Sequence, residues 1–110
     1  MSQLYTGNLR KVDISISSSG DNTIISAPST GYIVIDHINF LPTSAVTVQL
    51  KDGTTNYGGS YPLDAKQAIT LENAIHTDQG IITISPGNAF VINLSSAVQV
   101  SGFIRYRVIN

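Results

Sequence analysis

The chain of 110 residues has no cysteine, no tryptophan and a single methionine. Without cysteine there is no disulfide framework and no thiolate chemistry, and the chain tolerates oxidising and reducing surroundings alike. Charge is scarce as well. Six basic and seven acidic side chains give a formal net charge of −1, and charged residues make up 12% of the sequence. So weak a balance offers little attraction to nucleic acid or to an anionic membrane. It also leaves a free monomer poorly protected against association, which points to a surface that meets other protein. No run approaches the roughly 20 apolar residues of a membrane span. The most apolar stretch, GYIVIDHINFL, is broken by Asp36, His37 and Asn39. The opening MSQLYTGNLRKV holds no apolar core of signal-peptide length, so secretion by a cleaved signal is not expected.

What is present is β sequence. Ser, Thr, Val and Ile dominate, a mixture that suits pleated, half-buried surfaces and disfavours helix. KVDISIS alternates through Val12, Ile14 and Ile16 before the turn formers SSSGDN. TIIS, YIVIDHINFL and AVTVQL follow, the last with Val46, Val48 and Leu50 on one face. Asp52-Gly53 is a tight-turn signal, and Pro62 confines SYPL to an edge. AITLE, GIITIS and AFVINLS continue the series, and the chain closes on VQVSGFIRYRV.

In that last strand Val100, Ile104, Tyr106 and Val108 are expected to fill the core. Phe103, Arg105 and Arg107 are expected to face outward. One stretch, DAKQAITLENAIH, admits a helix with Asp64 as N-cap; its apolar stripe is narrow and Thr70 interrupts it, which favours a strand. The reading is an all-β chain: an antiparallel β-sandwich, jelly-roll-like, with about eight strands. Residues 10–110 form one domain, and residues 1–9, which lack periodicity, form an N-terminal arm ordered against a partner.

No segment carries a strong chemical signature. Asp36 and His37 resemble an acid–base pair, but neighbours in a strand point to opposite faces. His37, His76 and Asp78 are the one conceivable metal triad, with no ligand spacing to support it. Ser17, Ser18 and Ser19 lack a nucleophile elbow and lead into a loop. The acidic residues are scattered, without the paired carboxylates of a glycosidase. Asn93-Leu94-Ser95 matches a glycosylation sequon at a strand end. Arg105 and Arg107 beside Phe103 suit nucleic acid in type, yet only four other basic residues exist: Arg10, Lys11, Lys51 and Lys66. Tyr5, Tyr32, Tyr57, Tyr61 and Tyr106 offer faces to a sugar, Tyr57 and Tyr61 from a glycine-rich loop. No enzyme, no cofactor and no small-molecule substrate is expected.

The second half carries a resemblance. SYPLDAKQAITLENA and GIITISPGNAFVINLSSAVQVSGFIRYRV resemble small all-β virion proteins of tailed bacteriophages, of the capsid decoration (cement) kind. The matching residues are Pro62 and Leu63, Ile69 and Leu71, Gly87 to Phe90, Asn93 to Ala97, and Val100 through Tyr106; IHTDQG between the halves departs from the pattern. The resemblance implies a jelly-roll-like sandwich, a homotrimer, on the outer capsid surface of a virion after synthesis in the host cytoplasm. Its partner would be the major capsid protein, with no nucleic acid and no membrane involved. On this reading Leu4, Tyr5, Leu9 and Arg10 of the arm, with Phe103, Arg105 and Arg107 of the last strand, contact the partner. The alternative is a receptor- or glycan-binding tip of a phage tail or fibre, which calls for an exposed aromatic pair at Tyr57 and Tyr61.

Overall fold

Val12, Ile14 and Ile16 alternate with Lys11, Asp13 and Ser15 along β1 (Arg10–Ile16), and a period of two sorts core from surface in most strands that follow. The structure, a computed structural model, describes residues 9–72 and 80–110. Leu4, Tyr5, His76 and Asp78 lie outside the described residues, and with them most of the expected arm and two members of the metal triad.

The strands after β1 are β2 (Gly20–Ile25), β3 (Tyr32–Pro42), β4 (Val46–Asp52), β5 (Thr55–Asn56), β6 (Tyr61–Leu63), β7 (Ile69–Glu72), β8 (Ile82–Thr83), β9 (Phe90–Leu94) and β10 (Val100–Ile109). The first sheet runs β1-β10-β3, with β7 and β8 following one another along the far edge of β3. The second runs β2-β9-β4, with β5 and β6 sharing the far edge of β4 in the same way. Every pairing is antiparallel.

The pairs nest: first strand with last, second with ninth, third with seventh and eighth, fourth with fifth and sixth. Counting each interrupted pair as one strand gives eight, in the connectivity of a jelly roll. The stretch from Asp64 that admitted a helix makes a turn, with Lys66 at φ 62°, and then enters β7.

Between the sheets lie Ile14, Ile38, Phe40, Val100 and Ile104 from the first, and Val48, Leu50, Phe90, Ile92 and Leu94 from the second, all buried. Each such side chain contributes about 1.5–3 kcal/mol on leaving water. Tyr106 packs on this core only partly buried, and Val108, near the strand end, is half-buried. At Gly102, opposite Ile14 and Phe40, an added Cβ would collide with the Asn39 carbonyl and press within 2.7 Å of the Phe40 Cα. Glycine there lets β10 close on β3 in the middle of the sheet.

One irregularity in the β10–β3 pairing shapes the outer side of the first sheet. β10 tracks β3 residue for residue from Pro42 to His37, then slips: Arg105 faces His37, Tyr106 faces Ile35, and Asp36 is the extra residue. This β-bulge resets the alternation of β3, so that Asp36 and His37, adjacent in sequence, both project from the outer side of the sheet.

Candidate protein-binding face

The outer face of the first sheet is built in rungs. Lys11, Arg105, His37 and Glu72 lie side by side across β1, β10, β3 and β7. The next rung holds Asp13, Phe103, Asn39 and Thr70, and the third Ser15, Ser101 and Leu41. Phe103 stacks on the His37 ring with centroids 5.0 Å apart and planes 22° from parallel.

Asn39 fixes this stack from both ends. Its Oδ1 accepts from the Phe103 backbone N–H at 3.3 Å, so its Nδ2 is turned to His37 Nε2, 2.9 Å away. An amide N–H can only donate, so in this contact Nε2 is the acceptor. Nδ1 in turn looks toward Glu72 Oε1 at 4.0 Å. His37 and Asp36 thus go their separate ways despite the shared side: His37 joins the rung, and Asp36 is claimed by Arg107.

That ion pair corrects an expectation. Arg107 was expected to face a partner. Its alternation does place it on the same face as Phe103 and Arg105, yet its residue has 0% relative exposure and Asp36 only 3%. Nε donates to Asp36 Oδ2 at 2.7 Å and Nη2 to Oδ1 at 2.8 Å, a two-pronged pair. This end of the face is covered. Val34, directly across from Arg107, is also fully buried, and a Cβ on Gly80 would come within 2.6 Å of its Cγ1. The Ile81 N–H bonds the Ile35 carbonyl at 2.8 Å, holding that segment down. Arg107 is therefore structural, while Arg105, one rung away, is exposed and makes no ion pair among the described residues. Of the arm residues, Leu9 is 44% exposed and Arg10 begins β1 exposed.

The opposite face of the sandwich uses its polar groups on itself. Asp21 accepts from Asn93 Nδ2 at 2.7 Å and from Lys51 Nζ at 3.1 and 3.2 Å. The Asn93 bond, followed by those from Lys51, holds the Asp21 carboxyl below its ordinary range. The amide of the sequon is engaged in this way. Tyr57 and Tyr61 are half-buried and pack on the core, Tyr61 edge-on to Phe40 at 6.5 Å, so they do not form the exposed pair that the glycan reading calls for. Ser17, Ser18 and Ser19 lie exposed between β1 and β2.

A shallow depression beside β4 and β6, lined by Thr47, Pro62, Asp64 and Ser95 among others, contains no aromatic side chain and no histidine. Among the described residues no group of three or more His, Cys, Asp and Glu converges, and no helix is long and apolar enough to cross a membrane. Compared with family models, with curated proteins and with solved structures, the chain finds no match.

Proposed function

We propose that the chain is a non-enzymatic structural protein of a tailed-phage particle, a decoration protein that binds the major capsid protein of the assembled head shell and stabilises it. The observation that carries this reading is the outer face of the first sheet. It presents a stacked Phe103–His37 pair, an exposed Arg105 with no ion-pair partner among the described residues, and an exposed Leu41. Aromatic, arginine and aliphatic side chains grouped on one face of a sheet suit contact with another protein surface. The pre-fixed stack limits the rotamer entropy lost on docking. Of the residues of the decoration-protein resemblance, those in β7 and β10 belong to the first sheet and those in β6 and β9 to the second.

The mechanism is mass action. A module that binds the assembled shell and not its dissociated subunits stabilises the shell by its binding free energy, and repetition around a symmetric lattice multiplies the effect. Gene neighbourhood supplies the partner for a direct test. If a major capsid protein is encoded alongside, the purified chain is expected to co-sediment with expanded shells of that protein at saturable stoichiometry. It should also raise their disruption temperature. Failure of the chain to bind those shells would overturn the proposal.

A further inference from the structure

We infer that β1 is a self-pairing edge: two copies of this chain join β1 to β1, antiparallel, about a two-fold axis through Val12. The contact goes beyond shell binding and does not rest on it.

The edges of the two sheets are unequal. β5 and β8 have two residues each, β6 has three including Pro62, and β7 has four. The pairing of β2 slips between Thr23 and Ile25. Short edges, proline and bulges are the usual guards against strand addition. β1 has none of these three; its guard is charge, in Arg10, Lys11 and Asp13, which a partner of complementary charge can meet. The strand runs seven residues, contains no proline, pairs among the described residues with β10 alone, and keeps an unbroken register from Arg10 to Ile16. Its open side is a template for one more strand.

The charges select both the occupant and the register. Lys11 and Asp13 sit two apart on the outer side, 2.9 Å from each other, with side chains 55% and 72% exposed. In an antiparallel pair centred on Val12, Lys11 of each copy stands opposite Asp13 of the other, and the two Val12 side chains meet on the core side. Leu9, 44% exposed, then lies across from Ser15. Centring on Asp13 or on Lys11 sets like charges directly opposite, which opposes pairing. Centring on Ile14 leaves Asp13 facing Ser15 and gains no ion pair. Shifting by one residue turns the apolar face of one strand outward. Of these registers only the one centred on Val12 sets opposite charges across the outer face; on the core side it places Arg10 at the strand end across from Ile14. Pairing an edge with its own copy is a two-fold operation, so the contact stands in place of the three-fold assembly implied by the resemblance. It would extend the first sheet across two copies and place both Phe103–Arg105 patches on one side, a bivalent surface for any partner that binds them.

The test is sedimentation equilibrium on the full chain and charge variants, with far-UV circular dichroism confirming that each is folded. The wild type is expected to dimerise at micromolar concentration. K11E and D13K are each expected to weaken dimerisation roughly tenfold or more. The exchanged double variant K11D/D13K, which restores opposite charges across the two-fold, should dimerise like the wild type. A mixture of K11E and D13K should form heterodimers more tightly than either variant pairs with itself. A monomeric or trimeric wild type would overturn the inference, as would single variants that dimerise undiminished. The double variant also decides the register on its own: a folded monomer there rejects it.

Discussion

Arg107 and Asp36 are 71 residues apart in sequence and meet through two hydrogen bonds, at 2.7 and 2.8 Å, where both side chains are buried. The β-bulge makes the meeting possible, because it is Asp36, the unpaired residue of β3, that accepts. A buried pair of this kind is weak evidence for net stabilisation, since desolvating two charges offsets most of their attraction. Breaking it is another matter. Arg107→Ala and Asp36→Ala are each expected to destabilise the fold by about 3–5 kcal/mol, because each strands the partner's charge. Replacing both with apolar residues of similar volume should lose far less than the sum. Urea unfolding of the four chains measures this, and strict additivity would show that the two side chains act independently.

The same pair marks where sequence reading stops. Alternation alone put Val12 and Ile14 on one face of β1 and Val100 and Ile104 in the core, because each obeys a period of two on a half-buried surface. It also put Arg107 on the correct face. What alternation could not carry was the cover over that face, which is a property of how Gly80 and Ile81 return onto β3. A signal was present: Asp36 stands in the apolar run YIVIDHINF, and a carboxylate so placed requires a cation. The bulge itself had only an indirect trace, the apolar residues crowding both sides of β3 before Asp36. His37 and Phe103 were each singled out, but their stacking depends on a register of long-range pairing that local sequence does not encode.

Asp52 makes stability depend on acid. Desolvation pushes its carboxyl up, but hydrogen bonds from the Asn88 amide, the Ser85 hydroxyl and the Ser85 backbone N–H together outweigh that. The net effect holds it below its ordinary value of 3.8. A carboxyl with a lowered folded value contributes stability that is complete above the unfolded value and is lost as pH falls through the folded one. Unfolding free energy should therefore decline as pH drops from about 5 toward 2, and Asp52→Asn should flatten that slope. Chemical denaturation at a series of pH values reads both, and an unchanged slope in the variant would assign the acid sensitivity to other groups.

Gly102→Ala tests the closest approach in the first sheet. The methyl group has nowhere to go but into the Asn39 carbonyl and the Phe40 backbone. Neither is a flexible side-chain end, so β10 must separate locally from β3. The expected loss is about 1–3 kcal/mol or more, the range for overpacked interiors. Because Phe103 and Asn39 flank this point, the variant should also loosen the Phe103–His37 stack, visible as shifted aromatic and imidazole resonances in NMR spectra. Wild-type stability in Gly102→Ala would mean that the strands can move apart freely.

Phe103→Ala and Arg105→Ala separate binding from folding. Arg105 is exposed and makes no ion pair among the described residues, so its truncation should change stability by less than about 0.5 kcal/mol. Phe103 is half-buried against His37, so its loss should destabilise modestly, by about 1 kcal/mol. If this face docks on a shell, both should weaken attachment much more than they weaken the fold, by about 2 kcal/mol or more each if they lie at the centre of the contact. Thr23→Ala, on the opposite face, should leave attachment unchanged. Binding isotherms on shells, set beside melting curves of the free variants, give the two quantities separately. Equal loss in both would make Phe103 a packing residue only, and unaltered attachment by Arg105→Ala would move the contact off this face.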